Sequence, residues 1–471
     1  MPAGNSNPPA DRKASGLRSG SSDGDGARDR SEQGGDTSKS GGAALHLFEA
    51  YGIELEYMLV DADTLDVAPA ADRLLEAAAG ELTDEFENGE IAWNNELALH
   101  VIELKCNGPR RRLAGLGRAF ADNVALASSK LESANQRLMP TAMHPWMDPA
   151  AVELWPHGTR VIYETFDRIF SCKGHGWANL QSMQVNLPFA GDEEFARLHS
   201  AIRFLLPILP GLAASSPIVD GAPNGILDNR LVVYRNNCAR VPSVTGDVVP
   251  EPVGSVGEYL ERVLEPIYRD LEPHDPEGVL RHEWVNARGA IARFDRMAIE
   301  IRVMDVQETP FMDVAYAALV AEVLKFLCDE RWADRRALDA WHTGELGKLL
   351  ELTERQAETT GIGDRRYLRA LGFRGGSTEL KGLWEHLLDA VSAHGTIDYE
   401  TGRLLEHYMR YGTLATRIAK TVGLLPTRAR IARVYEELCD ALASGTPFTP
   451  TPPPPAPPAG APSQRKPARR R

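Results

Sequence analysis

An α+β fold is predicted for this chain by two observations. Short segments of strand character are separated by long stretches of helical periodicity, and from Asp313 to about Ala443 the pattern is helical almost without interruption. The strand segments are residues 51–60, 97–105, 180–189 and 297–304, each alternating apolar with polar residues or enriched in β-branched ones. Helical periodicity covers residues 112–138, 192–213 and 255–271. Alternation matters because side chains at i and i+2 of a strand share a face, so each segment has one apolar row fit to pack on helices and one polar row. There is no internal repeat, no GxxxxGK loop and no GxGxxG after a strand. A nucleotide would have to be held by another device.

The body, residues 45–445, is flanked by segments of different composition. Residues 1–44 carry six basic and six acidic side chains, much Gly and Ser and almost nothing apolar, the composition of a disordered segment. Residues 446–471 hold ten prolines and five basic residues with no acid, and read as an extended, mobile tail. Removing a neutral N-terminal segment and a tail of +5 from the total of −14 leaves −19 on the body. So acidic a body disfavours nucleic acid as a partner, and an anionic substrate would need local Arg side chains or bound cations. With 471 residues, 43% of them hydrophobic, the chain can bury a substantial core. No apolar run is long enough to span a bilayer and the N-terminus is polar, so a cytoplasmic location is expected. The five cysteines show no paired spacing, and Cys106 is read as packing despite its closeness to Glu103.

In GIELEY, residues 52–57, Ile53, Leu55 and Tyr57 point one way and Glu54 and Glu56 the other. Carboxylates so placed raise each other's pKa unless a cation, a basic side chain or solvent neutralises them, and this segment has no Lys or Arg. Taken alone, the pair fits a solvated strand face, an acid/base pair or half of a metal site. The design recurs. Glu103 lies between Ile102 and Leu104, with Glu96 ahead of it; Ser182, Gln184 and Asn186 oppose Met183, Val185 and Leu187; Glu300 and Arg302 oppose Ile299, Ile301 and Val303. A sheet face carrying all of these has too many charges for a hydrophobic layer. Divalent cations such as Mg²⁺ prefer carboxylate oxygens and share their shell with substrate phosphates, so the four segments together point to a metal-rich site able to grip ATP.

These segments also resemble a known family. GIELE, NNELALHVIELK, MHPW at 143–146, QVN at 184–186, AASSP at 213–217, NRLVVYR at 229–235 and AIEIRVMD at 298–305 follow one another in the order seen in the glutamate-cysteine ligase family. The likeness is to its second bacterial branch, which includes carboxylate-amine ligases, and covers about residues 47–330 and more loosely the remainder to about 440. It implies a glutamine-synthetase-like fold: a curved antiparallel sheet, with helices on its outer face and a helical C-terminal part, forming a funnel for ATP and two or three Mg²⁺ ions, with Mn²⁺ as an alternative. Carried over by motif, Glu54, Glu56, Glu96, Glu103 and Glu300 resemble metal ligands, and Gln184 stands where the family usually has a ligating His. Arg302 and Arg288 resemble the catalytic residues that face the transferred phosphate. Arg230, Arg235, His144 and Asn186 resemble substrate contacts. An acid of the family is missing at Leu99, and PTAM replaces a glycine-rich run before His144.

The function these features imply is ATP-dependent ligation: a carboxylate, the γ-carboxylate of glutamate, is activated as an acyl phosphate and joined to an amine such as cysteine or another amino acid. The expected partners are small-molecule substrates, with a homo-oligomer open. Two rivals are a catalytically inactive ligase-fold binding protein, favoured by Gln184 and Leu99, and a small-molecule amine or guanidine kinase. If Glu54 and Glu300 hold metal, changing either to Gln is expected to abolish turnover and leave the fold largely intact.

Overall fold

The alternation in GIELEYMLVD becomes the central strand, β1 (Gly52–Asp61), of an eight-stranded antiparallel sheet. The structure is a computed structural model that describes residues 44–450. The readings of residues 1–44 and 446–471 as disordered lie outside the described residues except at their inner ends. There Phe448 is buried, its carbonyl accepting from Arg417 and its N–H donating to Glu308, so packing continues past Ala443.

The other strands are β2 (Glu85–Asn88), β3 (Ile91–Asn95), β4 (Val101–Cys106), β5 (Gln136–Met139), β6 (Ser182–Pro188), β7 (Ala290–Arg293) and β8 (Ala298–Asp305). Their order is β2-β3-β4-β1-β6-β8-β7, with β5 beside the far end of β1. One extra residue interrupts β8: Ile301 pairs with Val185 but Met304 pairs with Met183, a β-bulge at Arg302 and Val303.

The apolar rows of these strands form one side of the main core. Ile53, Leu55 and Tyr57, Ile102 and Leu104, Met183 and Val185, and Ile299 and Ile301 pack there with the helices Leu116–Leu131, Gly191–Leu205 and Pro310–Cys328. Leu116, Phe120, Val124, Ala127 and Leu131 show why the first of these forms: the spacing puts five buried apolar residues on one stripe. The last starts at Thr309, whose side chain caps Met312 N–H, with Pro310 at the first position.

The opposite face of β1 changes character along its length. Glu54 and Glu56 are followed on the same side by Met58 and Val60, which enter a second core with Ile418, Ile431, Tyr435 and Leu438 of the C-terminal helices Leu414–Val422 and Arg428–Ser444. Those helices close one end of the polar face. The other end is open.

Three boundaries differ from the sequence reading. Residues 112–138 are not one helix: it stops at Leu131, Asn135 takes a left-handed conformation (φ 55°), and Gln136–Met139 turns into β5 against β1. Residues 97–105 are not one strand: it begins at Val101, and the preceding hairpin β2–β3 was missed although Asn88-Gly89 is a strong turn signal. The helix 192–213 is broken after Leu205, where Pro207 and Pro210 supply no N–H.

Candidate active site

Strand register assembles the polar face. Glu54 lies opposite Lys105 of β4 and Gln184 of β6, Glu56 opposite Glu103, Glu103 opposite Asn94 of β3, and Asn186 opposite Glu300. All four strand glutamates are buried, Glu54 at 3% exposure and the others at 0%. This rules out the solvated strand face that GIELEY alone allowed.

On the β3-β4-β1 side, acids collect with few bases. Glu56, Glu96 and Glu103 each offer one oxygen within 4.8 Å of the others. Glu96 comes from the link between β3 and β4, where its carboxylate accepts from Leu97 N–H (3.3 Å). Glu56 accepts from Ser182 N–H (2.7 Å) and from the Gln184 amide (3.0 Å). Burial pushes Glu56 up, against the pull of the Ser182 N–H and Arg230. Burial, reinforced by neighbouring carboxylates, pushes Glu96 and Glu103 well above the ordinary carboxyl range. Glu54 goes the other way: burial would raise it, but Arg296, Glu103 and Lys105 together bring it below its ordinary value.

On the β6-β8-β7 side every acid is matched. Glu300 is held between Arg302 (2.5 Å) and Arg293 (3.0 Å), all three buried. Asp305 takes the Arg230 Nε (2.5 Å) together with the Ser215 N–H and Ser216 hydroxyl, which explains the serines of AASSP. The β7–β8 turn sends Arg296 back to Glu54 (3.1 Å).

The remaining residues singled out from the sequence are distributed unevenly around this face. Asn186 donates to Glu54 (3.1 Å) and lines the cavity at the open end. Arg230 also donates to the Arg302 carbonyl. Arg288 grips Glu251 through two 2.6 Å bonds and bonds Asn286, whose carbonyl in turn accepts from Arg302. Arg235 pairs with Glu354 on the helix Thr343–Gln356. His144 spends its ring on the Leu65 carbonyl (2.7 Å) and the Trp146 N–H (3.2 Å), and burial lowers its pKa to about 4. Leu99 packs in the main core. Cys106 accepts from Ile53 N–H (3.4 Å), and burial raises its thiol to about 12, which suits packing.

Sequence reasoning missed Arg293, Arg296, Lys105 and Asn94. Lys105 and Asn94 were visible as the same-face neighbours of Glu103 and Glu96. Arg293 and Arg296 gave no local signal, since they reach Glu300 and Glu54 only through the β7–β8 turn and the sheet order.

Whether this face suits divalent metal can be judged from its unsatisfied atoms. Glu54 Oε2, both oxygens of Glu103, Asn94 Oδ1, Gln184 Oε1 and Asn186 Oδ1 are buried without a hydrogen-bond donor. Each is a hard oxygen on the same side of the sheet, and burying such acceptors unpaired is costly. A hard cation would satisfy them, so the donor set fits Mg²⁺ or Mn²⁺. A cavity of about 420 Å³ leads from the open end to Glu54 between Lys105 and Arg296.

Comparison with known proteins identifies the family. Residues 50–394 match the model of glutamate-cysteine ligase family 2. An uncharacterized protein of Archaeoglobus fulgidus is 34% identical over 329 residues, 69% of this chain and 88% of that one. A Nocardioides protein provisionally named glutamate–cysteine ligase 2-1 is 28% identical over 301 residues, 63% of this chain and 72% of that one. Among solved structures, the glutamate–cysteine ligase of Francisella tularensis in complex with AMP superposes with a TM-score of 0.54 at 13% identity, covering 84% of this chain and 89% of that one, which speaks to the fold alone. Among the described residues no helix is long and apolar enough to cross a membrane. The chain belongs to glutamate-cysteine ligase family 2, with the family's glutamine-synthetase-like fold, and is an ATP-dependent carboxylate-amine ligase that forms an amide bond.

Proposed function

We propose that this ligase activates the γ-carboxylate of glutamate as an acyl phosphate and joins it to the amine of cysteine or another amino acid. The observation that supports the reading is the convergence of Glu56, Glu96 and Glu103 beside buried oxygens that lack donors. In this reading Glu54, Glu56, Glu96, Glu103, Gln184 and Glu300 hold two or three Mg²⁺ ions, which when bound neutralise the phosphate oxygens of ATP. Glu300 contributes only by loosening its hold on Arg293 or Arg302. A guanidinium so released faces the same charge, which gives Arg302 its role in positioning and stabilising the transferred phosphoryl group. Arg288 is placed one residue contact behind it, through Asn286. Asn186 orients the substrate beside Glu54, and Arg230 fixes the Arg302 backbone. Direct substrate contact by Arg235 or His144 requires each to leave its present partner.

The chain's chemical burden is therefore orientation and charge neutralisation, with no nucleophilic side chain required. The test is ADP release from MgATP with glutamate and a panel of amines, followed by mass measurement of products. An amide product with stoichiometric ADP is expected. A phosphorylated small molecule without amide would replace the reading by a kinase, and no ADP with any pair by an inactive binding protein.

A further inference from the structure

Strand β8 meets a short helix, Asn229–Tyr234, that is fastened at its start. Asp228 caps it by accepting from Leu231 N–H (3.0 Å), and Ser216 ties down its first turn, the carbonyl accepting from the Asn229 amide (2.8 Å) and the hydroxyl from Arg230 N–H (3.1 Å). Arg230 and Tyr234 are one turn apart, so their side chains leave the same face of the helix. Arg230 reaches Asp305 and the Arg302 carbonyl. Tyr234, only 2% exposed, sets its ring in the main core and its hydroxyl beside the Arg302 guanidinium.

That hydroxyl is buried, and among the described residues it has formed no hydrogen bond. Burial pushes the phenol up to about 12, against the pull of Arg302 and Arg230, so at neutral pH it is protonated and able to donate. A guanidinium offers donors only, so Arg302 cannot accept this proton. A buried O–H with nothing to donate to costs the fold stability unless a ligand takes it. Tyr57, Tyr316 and Tyr435 also bury a hydroxyl without a partner. They face Asp313, the Arg417–Glu308 pair and Thr141, whereas Tyr234 faces an arginine of the candidate active site.

We propose that Tyr234 is a further catalytic residue, whose O–H donates a hydrogen bond to an oxygen of the phosphoryl group as it passes from ATP to the substrate carboxylate. This rests on the reading above, in which Arg302 faces that group. No bond to Tyr234 forms or breaks and its proton stays in place; the hydroxyl adds one neutral donor to the charge that Arg302 supplies. The anchoring of the helix at Asp228 and Ser216 fixes the direction of that donor.

The experiment uses the full chain with MgATP, L-glutamate and the amine of the panel that gives the fastest ADP release. Tyr234→Phe removes the hydroxyl and leaves the ring. Turnover should fall about 10- to 100-fold while the KM values for ATP and glutamate change less than about threefold, the mark of a contact made chiefly in the transition state. The melting temperature should hold or rise, because an unpaired buried hydroxyl is gone. Tyr316→Phe deletes an equally unpaired hydroxyl beside Arg417 and should turn over as the wild type does. Calorimetry adds a measure that needs no turnover: Tyr234→Phe should weaken binding of MgADP with aluminium fluoride, a planar phosphoryl mimic, about tenfold or more, while MgADP alone binds as before. Undiminished turnover in Tyr234→Phe overturns the proposal and leaves the ligase reading standing. A variant that melts earlier and weakens MgADP and the mimic equally also overturns it, since that marks the hydroxyl as structural. Selective loss of the mimic in a protein that forms no amide keeps Tyr234 and sinks the ligase reading; a wild type that neither releases ADP nor binds the mimic sinks both.

Discussion

The two halves of the polar face solve the same problem differently. Around β8, Glu300 is paired with Arg293 and Arg302 and Asp305 with Arg230, so each carboxylate is neutralised within the protein. Around β1, β3 and β4, Glu56, Glu96 and Glu103 are gathered with raised proton affinity and several oxygens without donors. Both halves are equally buried, so exposure does not distinguish them. What distinguishes them is who supplies the positive charge. One half carries its own; the other leaves buried acceptor oxygens without donors, which on the proposed reading a bound cation would satisfy.

The largest effect that would break this contrast is on turnover. Glu56→Gln and Glu103→Gln should each lower ADP release by about a thousandfold or more, the scale of losing a catalytic metal or its electrostatic equivalent. The melting temperature of the metal-free variants should hold or rise, because a neutral amide replaces a buried carboxyl. The paired half should behave in the opposite way. Glu300→Gln removes the buried negative charge that Arg293 and Arg302 share, and urea unfolding should show a loss of about 3–5 kcal/mol. The sequence alone led to the expectation that the Glu300 change would spare the fold; the two buried guanidinium partners of Glu300 argue for a loss instead. Equal stability losses for Glu103→Gln and Glu300→Gln would erase the contrast.

A pH series sharpens it further. Glu56, Glu96 and Glu103 have folded-state proton affinities above their unfolded ones, so the native state binds more protons over the interval between the two. Their contribution to stability is therefore complete below the unfolded value of about 4.3 and is lost as pH rises through the raised folded values. Metal needs the carboxylates ionised, so the rise in melting temperature on adding Mg²⁺ should be greater at pH 8.5 than at pH 6. A pH-independent increment would place the ion elsewhere. The smallest effect concerns Gln184. Gln184→His exchanges an amide oxygen for an imidazole nitrogen, and the preference for Mn²⁺ over Mg²⁺, read from activation curves, should increase by less than about tenfold.

Much of this was readable before any coordinates. The alternation in residues 51–60, 180–189 and 297–304 identified three strands and their acidic rows, because a two-residue period leaves little freedom about which side chains share a face. What stayed hidden was pairing across the sheet. GIELEY contains no base, and nothing near it announces that Arg296, far along the chain, will sit on Glu54. Likewise EIRVMD shows Glu300 beside Arg302 but not the second guanidinium from Arg293 across the hairpin. Arg235 and His144 illustrate the reverse problem. A polar residue inside a recognisable motif invites a role in binding, while its partners, Glu354 and the Leu65 carbonyl, lie in segments that local patterning cannot join to it. The β2–β3 hairpin is a different case, since Asn88-Gly89 signals its turn locally.

The irregularity in β8 has a consequence for how the enzyme tolerates change. Were the same residues to run through Arg302 and Val303 without the bulge, strict alternation would aim Met304 at the polar face and bury Asp305 among aliphatic groups; with the bulge, Met304 meets Met183 and Asp305 meets Ser182. A one-residue insertion after Val303, with the bulge kept, would thus exchange the inner and outer lining of the strand's final stretch. Arg230 would lose its anchor although neither partner had been substituted.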